Sequence, residues 1–482
     1  GYCLANPGKE YLVYLPEGGK VTVDLSAASG TLRQEWISPI TGAVTSIGNA
    51  VGGGHRTFKA PFEKEAVLYI NATPAQGPLR VHPENSRYFT DGTKMPDGSL
   101  KAVYLTGSHT WNNLQDPDPA TAPPFDYEGY LDFLQSYNHN FFRMWTRMGT
   151  GGGPTPTPTI YPRTGPGKAK DGGLKYDLNR FNQEFFDRLR ARVKAAGERG
   201  IYVAVMFFAG DNVEYRDGNR NWPQHPYHRD NNINGINGDP DGDGQGLECY
   251  RLEIAAITLV QDEYVKKVID TLNDLDNVLW EVGNELPGTI EFQLHVTRLV
   301  KEYETSHNLK HHPVGISTFA NARPPMRVFQ DGPADWITPD TSSGDYTGDP
   351  PSADGKKVIV SDTDHLWGVG GDNTWVWKSF ARGHHPIYMD PLSATENVSE
   401  AQLEGARKAM GQTRRFAERI ESTQKEQPRP RHRADGEQPV LIPRVKVGDD
   451  GEPAPQQRDE PNVEYIAFHF FAPILNNLLS QV

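Results

Sequence analysis

Asn277-Val278-Leu279-Trp280-Glu281-Val282-Gly283-Asn284-Glu285 decides the fold. Its core is apolar at both odd and even positions, so a strand over Val278–Asn284 would be buried on both faces. That is the pattern of a parallel strand covered by helices, not of an antiparallel strand with one wet face. The run breaks at Leu286-Pro287-Gly288, so Asn284 and Glu285 stand where the strand meets solvent.

Working outward, the same pattern recurs. Strands are predicted over Ala102–Thr106, Asn140–Trp145, Tyr202–Phe207, Val278–Asn284, Val314–Ser317, Asp335–Ile337, Val358–Ser361 and Pro386–Met389. Amphipathic stretches over 179–198, 250–273, 289–306 and 399–420 alternate with them. Strands in this number, alternating with helices, predict an α/β chain closed into a (β/α)8 TIM barrel over 98–420. An open doubly wound sheet competes, but no Gly-rich phosphate loop follows the first strand.

Residues 1–76 read differently. Short runs such as Tyr11–Leu15, Val21–Leu25, Leu32–Ile37 and Ala66–Ile70 are separated by Gly and Pro turns, which predicts a small antiparallel β-sandwich. Residues 77–97 read as a linker. Residues 421–482 form a charged, Pro-rich tail whose apolar end, Tyr465–Leu475, is expected to dock on the protein.

A formal net charge of -13 argues against a phosphate-tracking surface, so no nucleic-acid partner is expected. Cys3 and Cys249, the two cysteines, exclude a disulfide framework and a cysteine-rich zinc site, while leaving two thiols or one bridge open. No run of 18 apolar residues predicts a membrane span. No signal peptide opens the chain, as in a mature exported protein, and a secreted or periplasmic location is expected.

In a parallel barrel, chemistry sits at the C-terminal ends of the strands. Those ends offer His109 and Trp111, Arg143 and Trp145, Asn284 and Glu285, then Asp362, Asp364, His365 and Trp367. Two carboxylates on opposite walls, flanked by aromatic rings and an Arg, suit glycoside hydrolysis. One carboxyl protonates the leaving oxygen, while the other attacks the anomeric carbon or activates water.

This arrangement resembles glycoside hydrolase clan A, whose acid/base and nucleophile close the fourth and seventh barrel strands. Asn284-Glu285, Arg143 and the seventh-strand carboxylate carry the resemblance. It implies Glu285 as acid/base and Asp362 as nucleophile, in a retaining mechanism on plant or microbial polysaccharide. The clan generally has Glu where this chain has the shorter Asp362, and Asp364 is the alternative nucleophile. His109, Trp111, Arg143, Trp145, Asn284, Asp364, His365 and Trp367 are expected to bind the oligo- or polysaccharide substrate. Ser361–Gly368 and Trp375–Phe380 also resemble a bacterial group of glycosidase-like proteins near the apiosidase-like barrels. That group carries a sandwich labelled collagen-binding, whose opening is similar to Gly1–Gly8 with Glu10–Leu15. There the sandwich follows the barrel; here it precedes it, as in a permuted relative. The second reading is a non-catalytic carbohydrate- or matrix-binding protein built on a degenerate barrel.

No cofactor is required by this chemistry. The loop Asn237–Glu248 does gather oxygen ligands at alternating positions, with Asp239, Asp241, Asp243 and Glu248 as a candidate Ca²⁺ set. It is not an EF-hand, because Tyr250 occupies the place of the bidentate acid.

Overall fold

The structure is a computed structural model describing residues 1–28, 31–42, 44–72, 74–95, 97–117, 122–148, 155–210, 213, 222–317 and 330–423. The expectation for Tyr465–Leu475 lies outside the described residues.

The N-terminal region is antiparallel. β1 (Tyr2–Asn6), β2 (Glu10–Leu15), β4 (Thr31–Ile37), β5 (Val44–Val51) and β7 (Ala66–Asn71) form one sheet in the order β1-β2-β7-β4-β5. β3 (Lys20–Asp24) and β6 (His55–Lys59) form a second, two-stranded sheet. Tyr11, Val13 and Leu15 alternate with more exposed residues and meet Leu32, Trp36, Leu68 and Ile70 in one small core. β1 was not expected, because every residue in it is exposed and leaves no alternation to read.

Residues 77–97, read as a linker, carry two short strands. β8 (Arg80–Val81) and β9 (Phe89–Thr90) pair as a hairpin that puts Leu79 and Phe89, both fully buried, into the barrel floor. Tyr202 donates its hydroxyl to the Gln76 carbonyl at 2.6 Å, and the Ala75 amide bonds the Gly197 carbonyl at 2.8 Å.

The barrel comprises β10 (Gly107–His109), β11 (Phe141–Met144), β14 (Tyr202–Ala209), β15 (Val278–Asn284), β16 (Val314–Ser317), β17 (Trp336–Thr338), β18 (Val358–Asp362) and β19 (His385–Met389). They run in the order β10-β19-β18-β17-β16-β15-β14-β11, every pairing parallel. The seam between β10 and β11 is stitched by Asn140. Its Oδ1 accepts from the Thr106 amide at 3.0 Å, and its Nδ2 donates to the Tyr104 carbonyl at 2.8 Å. Gly107 crosses there so closely that a Cβ would sit 2.2 Å from the Phe141 carbonyl oxygen. A short excursion, β12 (Arg163–Lys168) with β13 (Leu174–Tyr176), interrupts the β11–β14 connection.

α1 (Tyr127–Ser136), α2 (Gln183–Glu198), α3 (Ala255–Leu272), α4 (Ile290–Ser306) and the later helices Asn373–Ala381 and Glu400–Thr423 belong to the helical layer. The β17–β18 connection carries a 3-10 turn, Thr341–Ser343, and no α-helix. The first barrel strand also falls later than expected. Val103 forms a bridge with Phe89, and Val103 and Leu105 join the floor, while Tyr104 turns outward to Phe380 and Thr413.

Strand parity positions the site. Phe141, Tyr202, Ala204, Leu279, Val358, Val360 and Ile387 point inward and pack an apolar floor. Phe142, Val203, Val205, Trp280 and Val282 point outward against the helices. Two residues further up, the same inward parity delivers Arg143 above Phe141, Glu281 above Leu279 and Asp362 above Val360. A charged layer therefore rests directly on an apolar one.

Candidate active site

Arg143 lies fully buried at the centre of that layer. Its Nε donates to both Glu281 oxygens at 3.1 and 2.9 Å, and its Nη2 donates to Glu281 and, at 2.8 Å, to Asn284 Oδ1. Its Nη1 donates to Asp362 Oδ2 at 2.6 Å. Burial disfavours the guanidinium charge, but Glu281 and Asp362, with Asp364 behind them, hold its pKa above the ordinary value. Glu281 was not foreseen as part of the site. The sequence signal was a carboxylate in an otherwise apolar strand, which demands a buried cation; its partner lies 138 residues earlier.

His109 is fixed by tautomer as well as position. The Trp145 indole N–H can only donate, and it donates to His109 Nδ1 at 3.1 Å. His109 Nε2 therefore carries the proton and donates to Asp362 Oδ1 at 2.9 Å. Asn113 fixes the Trp145 backbone, accepting from its amide at 2.9 Å and donating to the Arg143 carbonyl at 2.7 Å.

Asp362 is fully committed. Besides Arg143 and His109, its Oδ1 accepts from the Asp364 amide at 2.9 Å, capping the short helix Thr363–Leu366. The side chain is 0% exposed. Burial raises its pKa, but His109 and Arg143 outweigh this and hold the carboxyl well below the usual carboxylate range.

Asp364 is the opposite case. Its side chain retains 12% exposure, and its Oδ2 has no hydrogen-bond partner among the described residues, with Arg143 Nη1 3.7 Å away. Burial first, then the charges of Asp362 and Glu285, push its pKa well above the ordinary value.

Glu285 follows β15 at φ 46°, a left-handed conformation uncommon for a side chain of this kind. The approach of β14 accompanies it: a Cβ on Gly210 would stand 2.1 Å from the Glu285 carbonyl oxygen. Asn284 is held by two donors on Oδ1, Arg143 at 2.8 Å and His365 Nε2 at 2.7 Å.

Of the residues expected from sequence, His109, Arg143, Trp145, Asn284, Asp362, Asp364 and His365 form one connected network. Trp111 packs half-buried beside Trp145, Met206, Ala209 and Met389. Trp367 is 41% exposed, its ring edge-on to Trp375 with centroids 5.6 Å apart.

The acidic loop stands apart from this network. One carboxylate oxygen from each of Asp239, Asp241 and Glu248 lies within 4.8 Å of the other two. Asp243, expected among them, falls outside the group; its carboxylate accepts from the Gln245 amide at 2.8 Å and side chain at 2.7 Å. Cys3 is exposed and Cys249 buried, both as free thiols. No described helix is long and apolar enough to cross a membrane.

Residues 156–323 match a family model described as "Domain of unknown function (DUF6298)". Residues 1–69 match one described as "Putative collagen-binding domain of a collagenase". No functionally curated protein matches the chain. Among solved structures, it is similar to one titled a "putative glycoside hydrolase" from Bacteroides vulgatus, with 14% identity and a TM-score of 0.44, over 86% of this chain and 78% of that one. It is also similar to an endo-1,4-beta-mannanase from Rhizomucor miehei, with 11% identity and a TM-score of 0.43, over 69% and 98%. A family 5 mannosidase from the same fungus gives 11% and 0.42, over 72% and 98%. The barrel itself rests on its own strand pairing.

Proposed function

We propose that this protein is a glycoside hydrolase acting on oligo- or polysaccharide through Glu285 and Asp364. The observation that carries the reading is the placement of these two carboxyl residues. They come from the ends of different strands, at the C-terminal mouth of a parallel barrel, and the charge of Glu285 contributes to the raised pKa of Asp364.

Asp362, expected as the nucleophile, has no exposed side-chain surface with which to reach a sugar. The attacking role therefore passes to Asp364, the alternative on the same turn. Asp362 becomes a positioning residue, tying Arg143 and His109 to the Asp364 amide. The reaction needs Glu285 protonated and Asp364 ionised. Burial, with the charges of Asp362 and Glu285, opposes ionisation of Asp364 in the free protein, and positive charge developing at the anomeric carbon favours it.

Glu285 then protonates the glycosidic oxygen as the bond to the anomeric carbon breaks, while Asp364 bonds to that carbon. Water, giving its proton to Glu285, cleaves the glycosyl ester and releases the sugar with net retention. Trp111 supplies a ring surface for the sugar, with Trp145 buried behind it, and Asn284 a hydrogen-bonding amide. NMR of the first-formed anomer tests the stereochemistry: retention is expected, and initial release of the inverted anomer would remove the covalent role of Asp364.

A further inference from the structure

We propose that the loop Asn237–Glu248 binds one Ca²⁺ through Asp239, Asp241 and Glu248, and that this ion braces the turn following Glu285. Three carboxylate oxygens within 4.8 Å repel one another unless a cation or proton lies among them. Independent support comes from Glu248. It is only 5% exposed, yet neither of its carboxylate oxygens has a hydrogen-bond partner among the described residues. A buried carboxylate left this way is costly, and a hard divalent cation that takes oxygen ligands satisfies it.

The loop is shaped to hold these groups. Asp239 accepts from the amides of Gly242 at 3.1 Å and Gly244 at 3.0 Å, which turns the chain back toward Glu248. A carboxylate accepting two such bonds still has lone pairs for a metal. Gly246, at φ 68°, lies against the buried Trp222 ring, where a Cβ would come within 2.3 Å of it. Cys249 Sγ donates to the Gly238 carbonyl at 3.4 Å. Water would complete the six to eight oxygens that Ca²⁺ prefers.

The link to the active site is short. Glu248 lies in the 3-10 turn Leu247–Tyr250, and the Tyr250 carbonyl accepts from the Thr289 amide at 3.1 Å. Gly288 lies against the same carbonyl, which would stand 1.8 Å from any Cβ there. Fixing Glu248 therefore fixes the backbone against which Leu286–Thr289 rests, immediately beyond Glu285.

The test is calorimetric titration of CaCl2 into the chelator-stripped full chain, its Glu248→Gln variant and its Asp241→Asn variant. Asp241 is exposed, so its substitution leaves packing intact should Glu248→Gln fail to fold. Saturable binding of one ion is expected, weakened at least about tenfold in each folded variant. The melting temperature should rise by about 2–4 °C when free Ca²⁺ is one hundred times the dissociation constant. Absence of saturable binding, or binding unchanged in either variant, overturns the site and leaves a shared proton in its place. Hydrogen exchange tests the brace: the Thr289 amide should slow on adding Ca²⁺, and an unchanged rate overturns that part. None of these readouts depends on the substrate or on hydrolysis.

Discussion

Asp362 and Asp364 are two residues apart and chemically identical, yet their surroundings give them opposite duties. Asp362 is ionised against Arg143 and His109, so its charge supports the fold. Asp364 has a raised pKa, so its ionisation opposes the fold. Asp362→Asn should therefore destabilise the protein by about 3–5 kcal/mol at neutral pH, since it leaves a buried guanidinium under-compensated. Asp364→Asn should melt no lower than wild type at neutral pH while losing turnover by several orders of magnitude. Paired thermal melts and rates check both; a stable, inactive Asp362→Asn with an active Asp364→Asn would return the nucleophile to Asp362. The pH sign follows from the same shift. Stability associated with Asp364 is fully present below its unfolded pKa and declines as pH rises through the raised folded value. The kcat/KM profile should carry a limb above the ordinary carboxylate range that reports this raised value, and its absence would count against Asp364 as the attacking group. Sequence revealed that carboxylates lay at this strand end. Accessibility, which separates the two, depends on Arg143 and His109 arriving from other strands, and Glu281 was hidden for the same reason.

At the scale of elements, β15 positions Glu285 through its neighbour. β14 pairs Ala209 with Asn284, and Gly210 then passes against the Glu285 carbonyl. Gly210→Ala should force the two chains apart, lowering kcat by at least about tenfold with the far-ultraviolet spectrum unchanged; a rate near wild type would show that Glu285 tolerates the displacement. The strands themselves were legible because two-sided burial makes each an apolar run. The same logic misplaced β10, since Val103 and Leu105 are apolar as part of the floor beneath the barrel. It also gave no warning that β17 joins β18 through a 3-10 turn. The seam at Asn140 was equally hidden, because one amide side chain there supplements the backbone bond from its own amide to the Thr106 carbonyl and has no sequence signature.

At the scale of the whole molecule, residues 77–97, read from composition as a linker, carry paired strands. β4 lies against α1, and the β8–β9 hairpin plugs the barrel floor with Leu79 and Phe89. A chain beginning at Ala75 should thus keep a folded barrel, whereas one beginning at Gly98 should not. Losing two fully buried side chains of this size costs roughly 5–9 kcal/mol, comparable to the stability of a typical domain. Denaturant melts of the two shortened chains decide this; equal stability would make 77–97 a mere connector. The central claim is tested most directly by reducing sugar released from a panel of polysaccharides and aryl glycosides, comparing the full chain with Glu285→Gln. Hydrolysis of at least one substrate is expected, reduced by about 10²–10⁴-fold in the folded variant. A folded Glu285→Gln protein hydrolysing at the wild-type rate, or a wild-type chain that binds polysaccharide and cleaves none, would contradict it.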